Sequence, residues 1–202
     1  MRSVIQLGAV LLGVGLVVTL WLVDPRRAQF TPAEKLQIAI LPLGKPSRKT
    51  LDAVETSLRR MYRVEVKELP GAGLPASAFY QPRSRYRAEL LKAYVSHWKG
   101  WKVIGVTDRD ISTTAHGVKD FGIMGLADLG GRAGVVSSFR SHDGVGTVAV
   151  HEVGHTLGLP HCPNSRCVMV DGKGHGRVIH SSGKFCAPCA SRIRQWLRPV
   201  FG

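Results

Sequence analysis

The stretch His151-Glu-Val-Gly-His155-Thr-Leu-Gly158-Leu-Pro-His161 restricts this chain more than any other part of it. It fits the spacing H-E-x-x-H-x-x-G-x-x-H, and each position has a physical reason. Residues four apart share one face of a helix, so His151 and His155 can offer two imidazoles to one cation. Glu152, next to the first of them, can reach a water held by that cation. Gly158 adopts at little cost the left-handed backbone that ends a helix, and the turn brings back His161 as a third ligand. Three protein ligands leave one corner of a tetrahedral ion to water, which separates a catalytic zinc from a structural one. For the five-residue core alone, two helix-surface histidines are the plain alternative. Gly158, His161 and Met169 downstream weigh against it.

All four cysteines follow directly: Cys162, Cys167, Cys186 and Cys189. Their spacing, C-x4-C and then C-x2-C after 18 residues, fits a closed four-thiolate structural zinc site. Pro188 limits the loop between the last pair. Two disulfides are the alternative for an exported domain. A redox pair would need a thioredoxin-like βαβ context, which the sequence lacks. Cys162 belongs to the turn that presents His161, so a zinc here would also fix the C-terminal segment against the metal-binding helix.

The chain divides into residues 1–24, a linker over 25–34 containing Pro25 and Pro32, and a domain over 35–202. Val4 to Val23 is apolar except for Gln6 and Thr19. As a helix this run would be about 30 Å long, the thickness of bilayer hydrocarbon. Trp21 suits the membrane interface, and no Ala-x-Ala cleavage site follows closely, so the run reads as a single-pass anchor of undetermined sidedness. A cleaved signal segment, giving a secreted or periplasmic protein, is the alternative.

Within the domain, Leu36–Leu41 reads as a buried strand, and Ser47 caps a helix running to about Met61 with Leu51, Val54 and Leu58 on one face. Tyr62–Leu69 alternates like a half-exposed strand. Gln81–Trp98 reads as a second, basic helix and Trp101–Val106 as a strand ahead of the polar stretch Thr107-Asp-Arg-Asp110. Asp120–Ala127 and Gly134–Phe139 are short strand candidates. Gly144–Leu157 is the helix that carries the metal motif. The alternation argues for a layered α/β arrangement on a mixed sheet.

Lys and Arg number 28 against 14 Asp and Glu, a formal charge of +14. Such a surface favours anionic partners, yet no aromatic-interleaved basic motif argues for base recognition, and no nucleic-acid partner is expected. His175 and His180, between the cysteine pairs, read as solvent-exposed loop residues, with contact to substrate as the alternative. His97, His116 and His142 have no motif around them.

Taken together, His151-Glu-x-x-His155-x-x-Gly158-x-x-His161-Cys162-x4-Cys167-x-Met169 followed by Cys186-x-x-Cys189 resembles the archaemetzincins, metzincins with an additional four-cysteine zinc site. The resemblance covers at least Ala133 to Trp196. It implies a metzincin-type fold: a twisted, mixed five-stranded sheet, a backing helix, an active-site helix and a small C-terminal part. It implies two zinc ions, one catalytic and one structural, a peptide substrate, and hydrolysis with Glu152 as general base. It also implies that Met169 lies beneath the catalytic zinc without ligating it, and that an edge strand near Asp120–Ala127 lines the cleft. The N-terminal apolar run is outside the family's catalytic pattern, and no tyrosine follows Met169 to act as a switch. The protein is expected to be a monomer. A catalytically inactive module that binds peptides or anionic surfaces is the rival reading.

Overall fold

The computed structural model describes residues 36–115, 117–172 and 178–201. The expected membrane anchor, the linker, His116 and His175 lie outside the described residues. Among the described residues, no helix is long and apolar enough to cross a membrane.

Five strands form the main sheet: β1 (Ile38–Pro42), β2 (Val66–Glu68), β5 (Lys102–Thr107), β8 (Gly125–Ala127) and β9 (Ala133–Ser137), in the order β2-β1-β5-β9-β8. The first four in that order run parallel, and β8 closes the edge antiparallel to β9. The sheet is therefore mixed and five-stranded, as expected. β1, β5 and β9 are buried over their full length, because parallel strands need cover on both faces. The side-chain alternation of β1 shows this directly. Ile38 and Ile40 pack into the cluster with Val54 and Leu58 of helix α1 (Arg48–Tyr62) and Val148 and Val153 of α3 (Val145–Thr156). Ala39 and Leu41 join the opposite cluster with Leu91 and Val95 of α2 (Ala88–Val95). The C-terminal helix α4 (Ala187–Phe201) adds Ile193 and Leu197 to the first cluster.

A second sheet, unexpected from the sequence, has the order β3-β4-β6-β7: β3 (Phe79–Tyr80), β4 (Arg85–Arg87), β6 (Ile111–Ala115) and β7 (Val118–Ile123). It changes two sequence-based boundaries, and the length of α1 changes a third. The helix expected over Gln81–Trp98 is confined to Ala88–Val95, because Arg85 pairs with β3, Tyr86 and Arg87 pair with β6, and the Tyr86 amide donates to the Asp110 carbonyl at 2.9 Å. The stretch Asp120–Ala127 is two strands, split at Met124 between the two sheets. The strand expected from Tyr62 shrinks to Val66–Glu68, since α1 continues through Tyr62. That ring is buried, and its hydroxyl donates to the Val150 carbonyl of α3 at 2.7 Å.

Two local devices set the metal helix on its platform. Ser47 caps α1 by accepting from the Thr50 amide at 3.1 Å. Asp108 in turn accepts from the Ser47 amide at 2.6 Å, from the Thr50 hydroxyl at 2.9 Å and from the Ser138 hydroxyl, so it fastens α1 to the ends of β5 and β9. Where α1 meets α3, a Cβ at Gly146 would lie 2.3 Å from Ser57 Oγ and 2.6 Å from the Ala53 carbonyl oxygen. Only glycine lets the two helices approach this closely.

Candidate metal centres and cleft

Helix α3 carries His151, Glu152 and His155 within its last two turns. It ends as the motif requires. Gly158 has φ +80°, its amide donates to the His155 carbonyl at 2.8 Å, and the Leu159 amide donates to the Gly154 carbonyl at 3.0 Å. This is the double-bonded helix stop that a left-handed glycine permits. Three residues later the turn presents His161.

The three imidazoles converge. One nitrogen from each can be chosen so that the set lies within 4.8 Å of one another. The Nδ1–H groups of His151 and His155 donate to the carbonyls of Val168 at 2.7 Å and Leu159 at 2.8 Å. A carbonyl can only accept, so each Nδ1 bears the proton and each Nε2 presents a bare lone pair. The two Nε2 atoms face each other at 2.9 Å. Lone pairs this close repel unless a cation lies between them. Ligands about 2.0–2.1 Å from a tetrahedral zinc stand about 3.3 Å apart, so the pair is close to that spacing. The donor set fits zinc, and the carbonyl partners are the kind that orient metal-binding histidines.

Electrostatics agree with that assignment. Burial, then the neighbouring His155, hold the His151 pKa down to about 3. Burial also lowers that of His155, against the pull of the Leu159 carbonyl. Both rings are neutral at pH 7, as ligands must be. Burial pushes the Glu152 carboxyl up to about 8, with Lys92 acting in the opposite direction. A divalent cation beside it would favour the ionised form. His161 is the exposed member, and its Nδ1 lies 3.9 Å from Asp171 Oδ1.

These groups line a cleft of about 740 Å³, with β8 along one wall. Glu152 lies so close to Gly125 of β8 that a Cβ there would be 2.5 Å from its Oε1. Met169 is fully buried and packs under α3, where a Cβ on Gly154 would meet its sulfur at 2.4 Å. Gly154, one of the two unspecified residues between His151 and His155, is therefore tied to Met169. His180 lines the cleft as well, whereas His97 and His142 do not.

Behind the cleft, Cys162, Cys167, Cys186 and Cys189 bring their sulfurs within 4.8 Å of one another, and none is in a disulfide. Cys162 and Cys186 are 3.7 Å apart. Sulfurs about 2.3 Å from one tetrahedral ion lie about 3.8 Å apart, against about 2.05 Å in a disulfide. The group thus has the spacing of a zinc–thiolate site. Main-chain bonds hold it: the Cys162 amide donates to the Met169 carbonyl at 2.7 Å, and the Val168 amide to the Lys184 carbonyl at 2.8 Å.

Sequence reasoning found every member of both clusters and set the strand that carries Gly122 and Gly125 along the cleft, but it gave neither glycine a role and missed Arg140 and Asp171. The two glycines carry a weak signal, since a glycine in a strand often marks close approach of another group.

The family model for peptidase family M54 matches residues 144–195. The archaemetzincin of Haloarcula marismortui is 34% identical over 176 residues, covering 78% of this chain and 99% of that protein. The crystal structure of archaemetzincin from Archaeoglobus fulgidus, complexed with malonate, superposes with a TM-score of 0.67 at 32% identity, over 78% of this chain and 99% of the other. That from Methanopyrus kandleri gives a TM-score of 0.67 at 28% identity, over 82% of this chain and 97% of the other.

Proposed function

The chain belongs to the archaemetzincin family of zinc metallopeptidases, and from that premise we propose that it hydrolyses peptide bonds by attack of water, with Glu152 as the general base. In this reading His151, His155 and His161 hold the catalytic zinc, and Cys162, Cys167, Cys186 and Cys189 hold a second, structural one. A zinc ion in the histidine site would lower the pKa of water from about 15.7 towards 7 and supply positive charge where the scissile carbonyl oxygen becomes negative.

The protein's own groups account for the rest. Glu152 takes the proton of the attacking water and passes it to the leaving amine. The carbonyls of Val168 and Leu159 keep both Nε2 atoms unprotonated throughout. The outer edge of β8 offers main-chain donors and acceptors to an extended peptide, which would lie across the cleft as a sixth strand. Met169 supports the floor from beneath α3. Because water is the nucleophile, no covalent enzyme intermediate is needed.

The observation that carries this reading is the pair of facing Nε2 lone pairs, 2.9 Å apart, beside the carboxylate packed on Gly125. The rival reading, an inactive binding module, has no use for a base held in that place. The test is digestion of a proteome-derived peptide library by the full chain and by Glu152→Ala. The variant is expected to keep its metal and to lose about 10²- to 10⁴-fold in turnover. Unchanged turnover would remove Glu152 from the mechanism. In the same reading, the apolar run Val4–Val23 anchors the domain to a membrane, which fractionation of cells expressing the full chain would test.

A further inference from the structure

We infer that Arg140 sets specificity in the cleft: its guanidinium receives a substrate carboxylate on the C-terminal side of the scissile bond, within three residues of it. The inference rests on the peptidase reading and on pairing of the substrate with β8.

The cleft wall contains two glycines three residues apart, and each is overlaid by a functional side chain. Glu152 occupies the space above Gly125. Arg140 occupies the space above Gly122, where an added Cβ would lie 2.0 Å from Nη2, 2.3 Å from Cζ and 2.8 Å from Nε. Three residues of chain span at most about 11 Å. A peptide whose scissile bond lies at Glu152 therefore passes Arg140 within about three of its own residues. Antiparallel pairing, the more stable ladder, sends the C-terminal part of that peptide from Gly125 towards Gly122. Ile179 also lines the cleft, packed where a Cβ of Gly144 would come within 2.2 Å of it.

Charge points the same way. Arg140 is the one Lys or Arg among the described residues that line the cleft, which otherwise carries the carboxylates of Glu152 and Asp171. Its Nη2 donates to Oδ2 of Asp110 at 3.0 Å and lies 2.9 Å from Oδ1 in an ion pair. Asp110 also accepts from Arg85 Nε at 2.7 Å. Two guanidiniums thus share one carboxylate, so Asp110 fixes Arg140 in place without cancelling the charge of the group. Among the described residues, Nε and Nη1 of Arg140 make no hydrogen bond, and the side chain is 33% exposed. A half-anchored guanidinium with donors left over suits a carboxylate, which accepts two parallel bonds.

The carboxylate could be an acidic side chain or the free end of a peptide, and the experiment separates them. The zinc-loaded full chain is given peptides that differ only as Glu or Gln at each of the first three positions after the scissile bond. A second set ends one, two or three residues after that bond as free acid or amide. A carboxylate at one of these places should raise kcat/KM about tenfold or more, as hydrogen bonds to charged partners do. Arg140→Gln should bring the Glu-to-Gln or acid-to-amide ratio close to one, and Arg140→Lys should keep part of it. Equal cleavage of all pairs by the unaltered protein overturns the inference, as does a preference confined to the N-terminal side. Either result leaves the peptidase reading standing and is available even if the variants fail to fold. If no peptide is cleaved, the same pairs are compared by Kd on zinc-loaded Glu152→Ala. Tighter binding of the carboxylate member supports the inference and equal binding overturns it.

Discussion

The histidine centre and the cysteine centre meet at adjacent residues, His161 and Cys162, yet they are built in opposite ways. The first comes from one helix and its terminal turn, faces a cleft, and uses three side chains. The second gathers four side chains from the turn after α3, the segment around Cys167 and the start of α4, and lies behind the cleft. A set of three ligands leaves room for chemistry; a set of four spends all its coordination on holding chain segments together. The histidine centre therefore depends on a scaffold made elsewhere, and the cysteine centre is part of that scaffold.

The largest expected effect is on the cysteine centre. Cys186→Ser should lose one metal equivalent and destabilise the domain by several kcal/mol, because structural zinc sites contribute about 10–16 kcal/mol of apparent binding free energy that is also folding free energy. Metal analysis together with thermal unfolding checks this. A variant with its melting temperature and both equivalents intact would break the contrast.

A smaller effect concerns the histidine centre when its metal is stripped by a weak chelator. His151, held down to about 3 against an ordinary 6.5, is protonated first in the unfolded chain, so stability falls as pH drops from about 6.5 towards 3. Glu152, pushed up to about 8 from an ordinary 4.5, keeps its proton longer in the folded chain, so stability falls as pH rises from about 4.5 through 8. Together they leave a plateau between about 4.5 and 6.5. Restoring zinc should abolish the decline above it. Denaturant melts across pH 3–8, with and without the metal, would show whether the two groups behave so.

The smallest effect lies between the centres. Gly154→Ala forces a Cβ to within 2.4 Å of the Met169 sulfur, and overpacking of this kind costs about 1–3 kcal/mol. Activity should fall with stability, because the helix carrying both histidines must shift. A neutral result by denaturant titration would mean that the Met169 support is slack.

Both metal clusters were legible in the sequence because their spacing is local: ligands four apart on a helix, a glycine stop, paired thiols. Helix α1 was legible through Ser47 and the Leu51, Val54, Leu58 stripe. The second sheet was not. Residues 81–98 satisfy a helical period through Tyr86, Leu90, Leu91 and Tyr94, and what removes residues 85–87 from the helix is the Asp110 region, more than twenty positions away. Tyr62 was misplaced for the same reason, since its partner is a carbonyl on α3. Arg140 and Gly125 have meaning only once Gly122 and Glu152 are set against them in space. Sequence spacing reveals ligands of recognisable type that fall close together along the chain; single residues that meet across elements leave no such pattern.

The adjacency of His161 and Cys162 gives metal uptake a direction. His161 is the most exposed of the three imidazoles, and the chain that carries it is secured at the next residue, where the Cys162 amide meets the Met169 carbonyl. Emptying the sulfur cluster would loosen that mooring and let the third imidazole drift. Emptying the imidazole cluster asks nothing of the sulfurs. If both clusters take zinc, the rear ion would be expected to load first, and the front ion to enter a berth the rear one has finished.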